Sequence, residues 1–382
     1  MNLTDEQRAI RDVVREFARE EIRPEAERAD REEAFPEEVW NGLADLDLTG
    51  LTVPEEYDGF DADTFTYSLV NEELAGGMLA VATALSVHCL ATSCIAEFGD
   101  EDQRERWLPE MVDGRPVGAF ALSEPHAGSN PAAMTTEARR VEGAGGDPGD
   151  EYVINGTKQW ITNGERSGVV ILFARTDRDD PDSITQFVVP KDVEGLSVGK
   201  SEDKLGLRAS DTTSLEFDDV RVPAENRLTE EGRGLSAALS ILTGGRVAIA
   251  SQAVGLAQHA LDESLAYAAE REQFGDAIGE IQTIQHKLAE MRTETQAARL
   301  LTRDAARRAD AGEDHREAAS MAKLFAGETA VSVANEAIQI HGGYGYTTEG
   351  GVERLYRDAK ITTIYEGTSE IQKNVIAREL RD

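Results

Sequence analysis

The hydrophobic period changes twice along this chain, from helical to alternating and back, and that succession limits the folds open to it. Up to residue 113 the pattern is helical. Thr4 and Gln7 predict a capping box, in which both side chains serve free N–H groups at a helix start. Ile10, Val13, Val14 and Phe17 then recur at three- and four-residue steps until Pro24 limits the helix, and further helices are expected over 35–46, 79–96 and 102–111. From Pro116 to about Arg227 the period is two. Residues 117–122, 152–154, 169–174, 185–189 and 215–222 are short β-branched or aromatic runs between Gly, Pro, Asn and Asp, which predicts a small antiparallel β domain. The glycine-rich stretch 143–149 joins two of these runs, lacks the spacing of a dinucleotide fingerprint and reads as a solvated loop. From Leu235 onward Val247, Val254, Leu261 and Leu265 keep one apolar face, and Ile284, Leu288 and Met291 begin the same face on the next helix. Long antiparallel helices with short connections predict a four-helix bundle. The expected organisation is α+β and multidomain: helical over 1–113, β over 114–227 and helical bundle over 228–382.

Charge narrows the function. The chain carries 39 basic and 73 acidic residues, a net charge of −34, which repels nucleic-acid phosphates and anionic lipid headgroups. Only eight of the basic residues are lysines, and an acid-rich, lysine-poor surface suits a high-salt cytoplasm, although a merely acidic mesophilic protein would read the same way. Cys89 and Cys94 support neither a disulfide framework nor a thiolate metal site. The start lacks the basic-then-apolar order of a signal peptide. The apolar stretch 79–96 is interrupted by Thr83, Ser86, His88, Thr92 and Ser93, so it reads as a buried helix rather than a membrane span, and a cytoplasmic location is expected. The six histidines form no metal-ligand pattern, and no nucleophile elbow or Walker loop is present.

Four segments carry chemistry unsuited to a plain structural role. Residues 120–130 form a strand ending in hydroxyls and glycine, where Ser123, Gly128 and Ser129 leave backbone donors open to a flat polar ring or a phosphate; an ordinary strand and turn would read the same way. In 158–164 Trp160 sits beside Thr162 before Asn163-Gly164, which fits a wall for a planar cofactor or simply a hairpin. Arg271 and Phe274, with Gln282 following, offer a phosphate partner and a stacking ring at a helix end, although an Arg there is commonly just solvated. In 364–372 Glu366 lies between an aromatic run and Gly367, where burial would raise its pKa and make it a base for a carbon-bound proton; otherwise it caps a helix ahead of Thr368 and Ser369.

Together and in this order, the segments resemble the acyl-CoA dehydrogenase family over residues 3–380, most closely its short-chain and short-branched-chain members through 203–208, 245–252 and 365–372. The resemblance implies an FAD-dependent enzyme, a homotetramer built as a dimer of dimers, that converts acyl-CoA to trans-2-enoyl-CoA and passes electrons to an electron-transferring flavoprotein. It implies that Phe120, Leu122, Ser123, Trp160, Ile161 and Thr162 border the flavin ring, with Gly128 and Ser129 near the pyrophosphate. Arg271, Gln273, Phe274, Gln282, Gln339, Gly342 and Gly343 would hold the adenine half of FAD from a neighbouring subunit, with Thr368 and Glu370 completing the contact. Ser129, Thr243, Arg246 and Gly367 would meet the substrate, and Glu366 would be the base, its backbone N–H helping to bind the thioester carbonyl. Some relatives carry their base on the helix around 243–246, but here Thr243, Gly244, Gly245 and Arg246 include no carboxylate.

His126, Asn130 and Thr243 depart from the family's usual residues, and the acidic loop 142–151 is long for it. Two other readings remain open. One is an acyl-CoA oxidase, which usually needs a longer chain; the other is a non-catalytic DNA-associated relative, which the charge of −34 opposes.

Overall fold

A computed structural model describes residues 3–141 and 151–381, so the expected 143–149 loop and most of the acidic stretch 142–151 lie outside the described residues. The first helix, α1 (Asp5–Phe17), opens on the predicted capping box, with Gln7 N donating to Thr4 Oγ1 at 3.1 Å and Thr4 N to Gln7 Oε1 at 3.2 Å. Pro24 bends the chain without ending it: a π turn (Ala18–Ile22) and a 3-10 turn (Arg23–Glu25) lead directly into α2 (Ala26–Glu32). Proline lacks the N–H that a continuous α-helix uses, and the winding departs from α on both sides of it. Helices α3 (Glu37–Asp45), α4 (Thr64–Gly77), α5 (Leu79–Phe98) and α6 (Glu101–Val112) follow. Helix α4 has no readable periodicity, since residues 65–71 are all buried and no polar face alternates with an apolar one. Helices α5 and α7 (Gly234–Glu270) are long and apolar enough to cross a membrane, but 83% and 67% of their most apolar windows are buried within the molecule.

The middle strands are β1 (Gly118–Ala121), β2 (Glu137–Val141), β3 (Glu151–Thr162), β4 (Val169–Arg175), β5 (Ile184–Pro190), β6 (Leu196–Ser201) and β7 (Thr212–Pro223). They make two layers: β4 lies between β1 and β5, while β2, β3, β7 and β6 follow in order, and the layers touch where Arg175 of β4 meets Glu137 of β2. The expected antiparallel pairing holds for β2/β3, β3/β7, β4/β5 and β6/β7, whereas β4 runs parallel to both β1 and β2. Nor does Asn163-Gly164 form a tight hairpin, because the chain crosses there from one layer to the other. Ala119, Ile154, Leu172, Phe187 and Leu215 fill the space between the layers. The outer face of β4 packs Val169, Ile171 and Phe173 against α5 and α6. His88 of α5 joins these parts: Nδ1 accepts from Gly118 N at 2.9 Å, Nε2 lies 3.1 Å from the Met111 carbonyl, and burial drives the imidazole down to about 4, keeping it neutral.

Beyond α7 a two-residue hairpin, β8 (Glu272–Gln273) with β9 (Asp276–Ala277), leads to α8 (Gln282–Asp310), α9 (Arg316–His341), α10 (Val352–Ala359) and α11 (Ser369–Glu379). In the expected four-helix bundle the three long helices α7, α8 and α9 pack together, with α11 against α9 and α4 of the first segment laid across α7 and α8. The β layers are fixed to this bundle at residues 203–208. Leu207 N donates to the buried carboxylate of Asp358 at 2.6 Å, and Gly206 approaches so closely that a Cβ there would lie 2.3 Å from the Arg357 carbonyl oxygen.

Candidate active site

Glu366 stands in the turn between α10 and α11 with φ +52°, followed by Gly367 at +90°. A left-handed conformation is unusual for a side chain as long as Glu, and two in succession need support. Gln372 Nε2 reaches back from α11 to the carbonyls of Glu366 and Gly367 at 3.2 and 3.0 Å, and Lys323 Nζ reaches from α9 to the Gly367 carbonyl at 2.6 Å. The turn aims the Glu366 carboxylate at α7, where Gly245 gives it room: a Cβ on Gly245 would lie 3.2 Å from Oε2. That oxygen is closed to solvent and has no hydrogen-bond partner. Burial pushes the carboxyl up to about 7, against the downward pull of Lys323 and Arg246. Burial likewise lowers both cations, Lys323 to about 8. Such a group is poised to hold and release a proton near neutrality.

The segments expected to border a flavin are shaped by a bulge. Lys158 pairs with Leu215 and Ile161 with Thr213, so two residues of β3 oppose one of β7, and Trp160 takes φ +60°. The bulge turns Trp160 outward, leaving it 51% exposed, while Gly128 faces its ring at 3.6 Å from a notional Cβ. Phe120 packs against Phe173, with ring centres 4.9 Å apart, and is partly buried. Beneath the loop, Lys158 Nζ meets Glu124 Oε1 at 2.8 Å and the Leu122 carbonyl at 3.1 Å. Burial alone would raise Glu124, but the Lys158 ammonium and bonds from Thr135 and Thr136 bring it down to about 2.

Helix α5 brings the two regions together. Asn163 Nδ2 binds the Ala84 carbonyl at 2.9 Å, and the adjacent Thr83 hydroxyl lies 3.4 Å from the Tyr365 hydroxyl, one residue before Glu366. Leu90, on the same helix, packs in one core with Leu122 and comes within 3.4 Å of the Cβ position of Gly245. Arg246 is buried with its Nε unpartnered, and Thr243 is buried with its hydroxyl turned back to the Leu239 carbonyl at 3.0 Å.

A second region forms at the far end of α7. Arg271, Gln273, Phe274, Gly342 and Gly343 line one open cleft of about 580 Å³, with Tyr267 stacked on His341 at 4.3 Å in its wall. Gln282 and Gln339 lie close by in sequence, are exposed, and do not line it. Thr368 and Glu370 line a separate hollow with Lys360 and Glu328. Arg271 lies 26 residues beyond Gly245, roughly 39 Å along a helix rising 1.5 Å per residue. Phe274 at the hairpin tip is 96% exposed.

FAD fits these residues on two observations: an outward-turned indole for a flat ring, and an Arg and ring-bearing cleft with glycines open to an approaching ligand. Lys323 lies in none of the marked segments, and Glu124, Lys158 and Gln372 lie inside them without an expected role there. Of the eight lysines, Lys158 and Lys323 are the two that the fold buries, which the sequence alone does not show.

Comparison with known proteins places the chain. It matches the families described as acyl-CoA dehydrogenase N-terminal domain over residues 4–115, middle domain over 119–220 and C-terminal domain over 232–381. It is 43% identical to the mitochondrial short-chain specific acyl-CoA dehydrogenase of Rattus norvegicus, covering 100% of this chain and 91% of that protein. It is also 43% identical to the acryloyl-CoA reductase (NADH) of Anaerotignum propionicum, over 99% of this chain and 95% of that one. The butyryl-CoA dehydrogenase of Megasphaera elsdenii superimposes with a TM-score of 0.96 at 38% identity over the whole of both chains. A glutaryl-CoA dehydrogenase of Mycobacterium smegmatis in complex with FADH2 superimposes with a TM-score of 0.92 at 34% identity, over 99% of this chain and 95% of that one. The chain belongs to the acyl-CoA dehydrogenase family, an FAD-dependent oxidoreductase family.

Proposed function

We propose that this family member removes the α- and β-hydrogens of short acyl-CoA thioesters, giving trans-2-enoyl-CoA, with Glu366 as the base for the α-proton. The observation that carries this reading is the solvent-free, unpartnered Oε2 of Glu366 on a carboxyl raised to about 7. A thioester α-proton is weakly acidic, so the base must be desolvated, and the growing negative charge on the thioester oxygen needs donors. The Glu366 N–H supplies one. FAD, when bound, supplies the acceptor for the hydride that leaves the β-carbon. Trp160, Ile161 and Thr162 wall its ring, and Leu122, Ser123, Gly128 and Ser129 meet its polar edge and pyrophosphate. Arg246 and Thr243 border the acyl-CoA.

The adenine-side residues serve a neighbouring subunit. Arg271 and its cleft lie some 39 Å along α7 from Gly245 by helical rise, too far to join the same end of one ligand. The fully exposed Phe274 ring supports a tetramer in which that ring is covered. Electrons then pass to an electron-transferring flavoprotein. The Anaerotignum propionicum relative favours a second reading, enoyl-CoA reduction, in which Glu366 returns the proton to the α-carbon.

Anaerobic addition of butyryl-CoA tests the first reading. The bound flavin should bleach with enoyl-CoA formed in equal amount, and Glu366→Gln should abolish both. A protein that stays colourless after reconstitution, or a Glu366→Gln variant that bleaches at the native rate, overturns it. Oxygen uptake separates an oxidase from a dehydrogenase, and NADH-dependent acryloyl-CoA loss identifies the reductase.

A further inference from the structure

Lys323 lies in the middle of α9, on a face of small residues formed by Ala319, Ser320, Ala322 and Ala326, and is 1% exposed. An ammonium is seldom buried so completely without a carboxylate against it. Among the described residues this one makes no direct ion pair; it donates to the Gly367 carbonyl at 2.6 Å. That carbonyl belongs to the second of two consecutive left-handed residues, the first being Glu366. The other donor to it is neutral, Gln372 Nε2 at 3.0 Å.

We propose that Lys323 is a positioning residue for the Glu366 carboxylate: its ammonium clamps the Gly367 carbonyl, fixing the turn that aims the base, and places a positive charge beside a base that has no hydrogen-bond partner. The inference rests on Glu366 being the base. Gln372 holds the same turn without charge, so the two donors divide the work and can be separated. The charged and titratable groups acting on this pair are Arg246 from α7, Glu370 from α11, Tyr67 from α4 and the adjoining Tyr365. Arg246 is the other cation near the carboxylate, so losing Lys323 halves the local positive charge.

The acid limb of kcat/KM reports the protonation of Glu366 in the free enzyme. Lys323→Gln keeps a donor and removes the charge, and should move that limb up by about one pH unit, a tenfold loss below the limb. Lys323→Met should show the same displacement and also a lower plateau, because the clamp is gone. Gln372→Leu should lower the plateau without moving the limb, and Lys323→Arg should keep the limb in place. Infrared titration of the Glu366 carboxyl, assigned by its absence in Glu366→Gln, reads the shift without turnover. It also carries the test if a variant folds but loses its flavin. If Lys323→Met does not fold, Lys323→Gln decides. An unmoved limb and an unmoved carboxyl band in Lys323→Gln overturn the proposal while Glu366→Gln remains inactive. An active Glu366→Gln enzyme would instead overturn the assignment of the base.

Discussion

Glu124 and Lys158 meet at 2.8 Å with 1% and 0% of their side chains exposed, and they tie the loop after β1 to the strand that carries Trp160. The pair lies under both segments proposed to border the flavin, so its geometry sets theirs. Removing one partner strands a buried charge, which costs about 3–5 kcal/mol. Glu124→Gln and Lys158→Met should each lower the unfolding free energy by that order and release flavin more readily, while the Glu124→Met/Lys158→Met double variant recovers much of the loss. The carboxyl is held at about 2, below its ordinary value, so its share of the stability is complete above the usual glutamate range and disappears as pH falls towards about 2. Unfolding followed from pH 6 down to pH 2 checks the sign.

Glu366→Gln keeps the shape of the side chain and removes the base. Turnover of butyryl-CoA should fall by about 10²–10⁴-fold, with flavin content and circular dichroism unchanged. In the native enzyme, kcat/KM should rise with pH through about 7, because the carboxyl must lose its proton to act and burial holds that proton on. A flat profile between pH 5 and 8 contradicts this.

Gly245→Ala places a methyl carbon 3.2 Å from Glu366 Oε2 and 3.4 Å from Leu90 Cδ2. Helix propensity favours alanine by about 1 kcal/mol, so the melting temperature should hold or rise. Activity should fall at least tenfold, because the displaced carboxylate no longer meets the α-carbon. Thermal unfolding and kcat measured on the same preparation separate the two effects.

At a net charge of −34, self-repulsion is strong when counterions are scarce. Raising KCl from 0.1 M to 1 M shortens the screening length from about 10 Å to about 3 Å and should raise the melting temperature steadily. A melting point independent of KCl would show that repulsion between carboxylates does not limit stability.

The order of helical, β and helical stretches was legible because period is a local property, and the capping box at Thr4 appeared as spaced. Helix α4 was not, since burial on every side erases the amphipathic stripe. The parallel pairing of β4 with β1 was also hidden: strand type and strand partner are separate facts, and only the first is written locally. Of the residues proposed for the site, Glu366 stood out in sequence as a carboxylate between an aromatic run and Gly367, and Trp160 as a large aromatic ahead of Asn163-Gly164. Lys323 did not, because it acts through a carbonyl 44 residues away, on a helix whose neighbouring positions are alanines.

The left-handed backbone at 366 and 367 sets folding against use. Glycine or asparagine would relieve the strain at position 366, so a library of replacements selected only for thermal resistance should drift towards those residues and away from glutamate. Selection for growth on short acyl chains should restore it. Position 366 is thus a point at which the most durable form of this protein and the working form are different molecules.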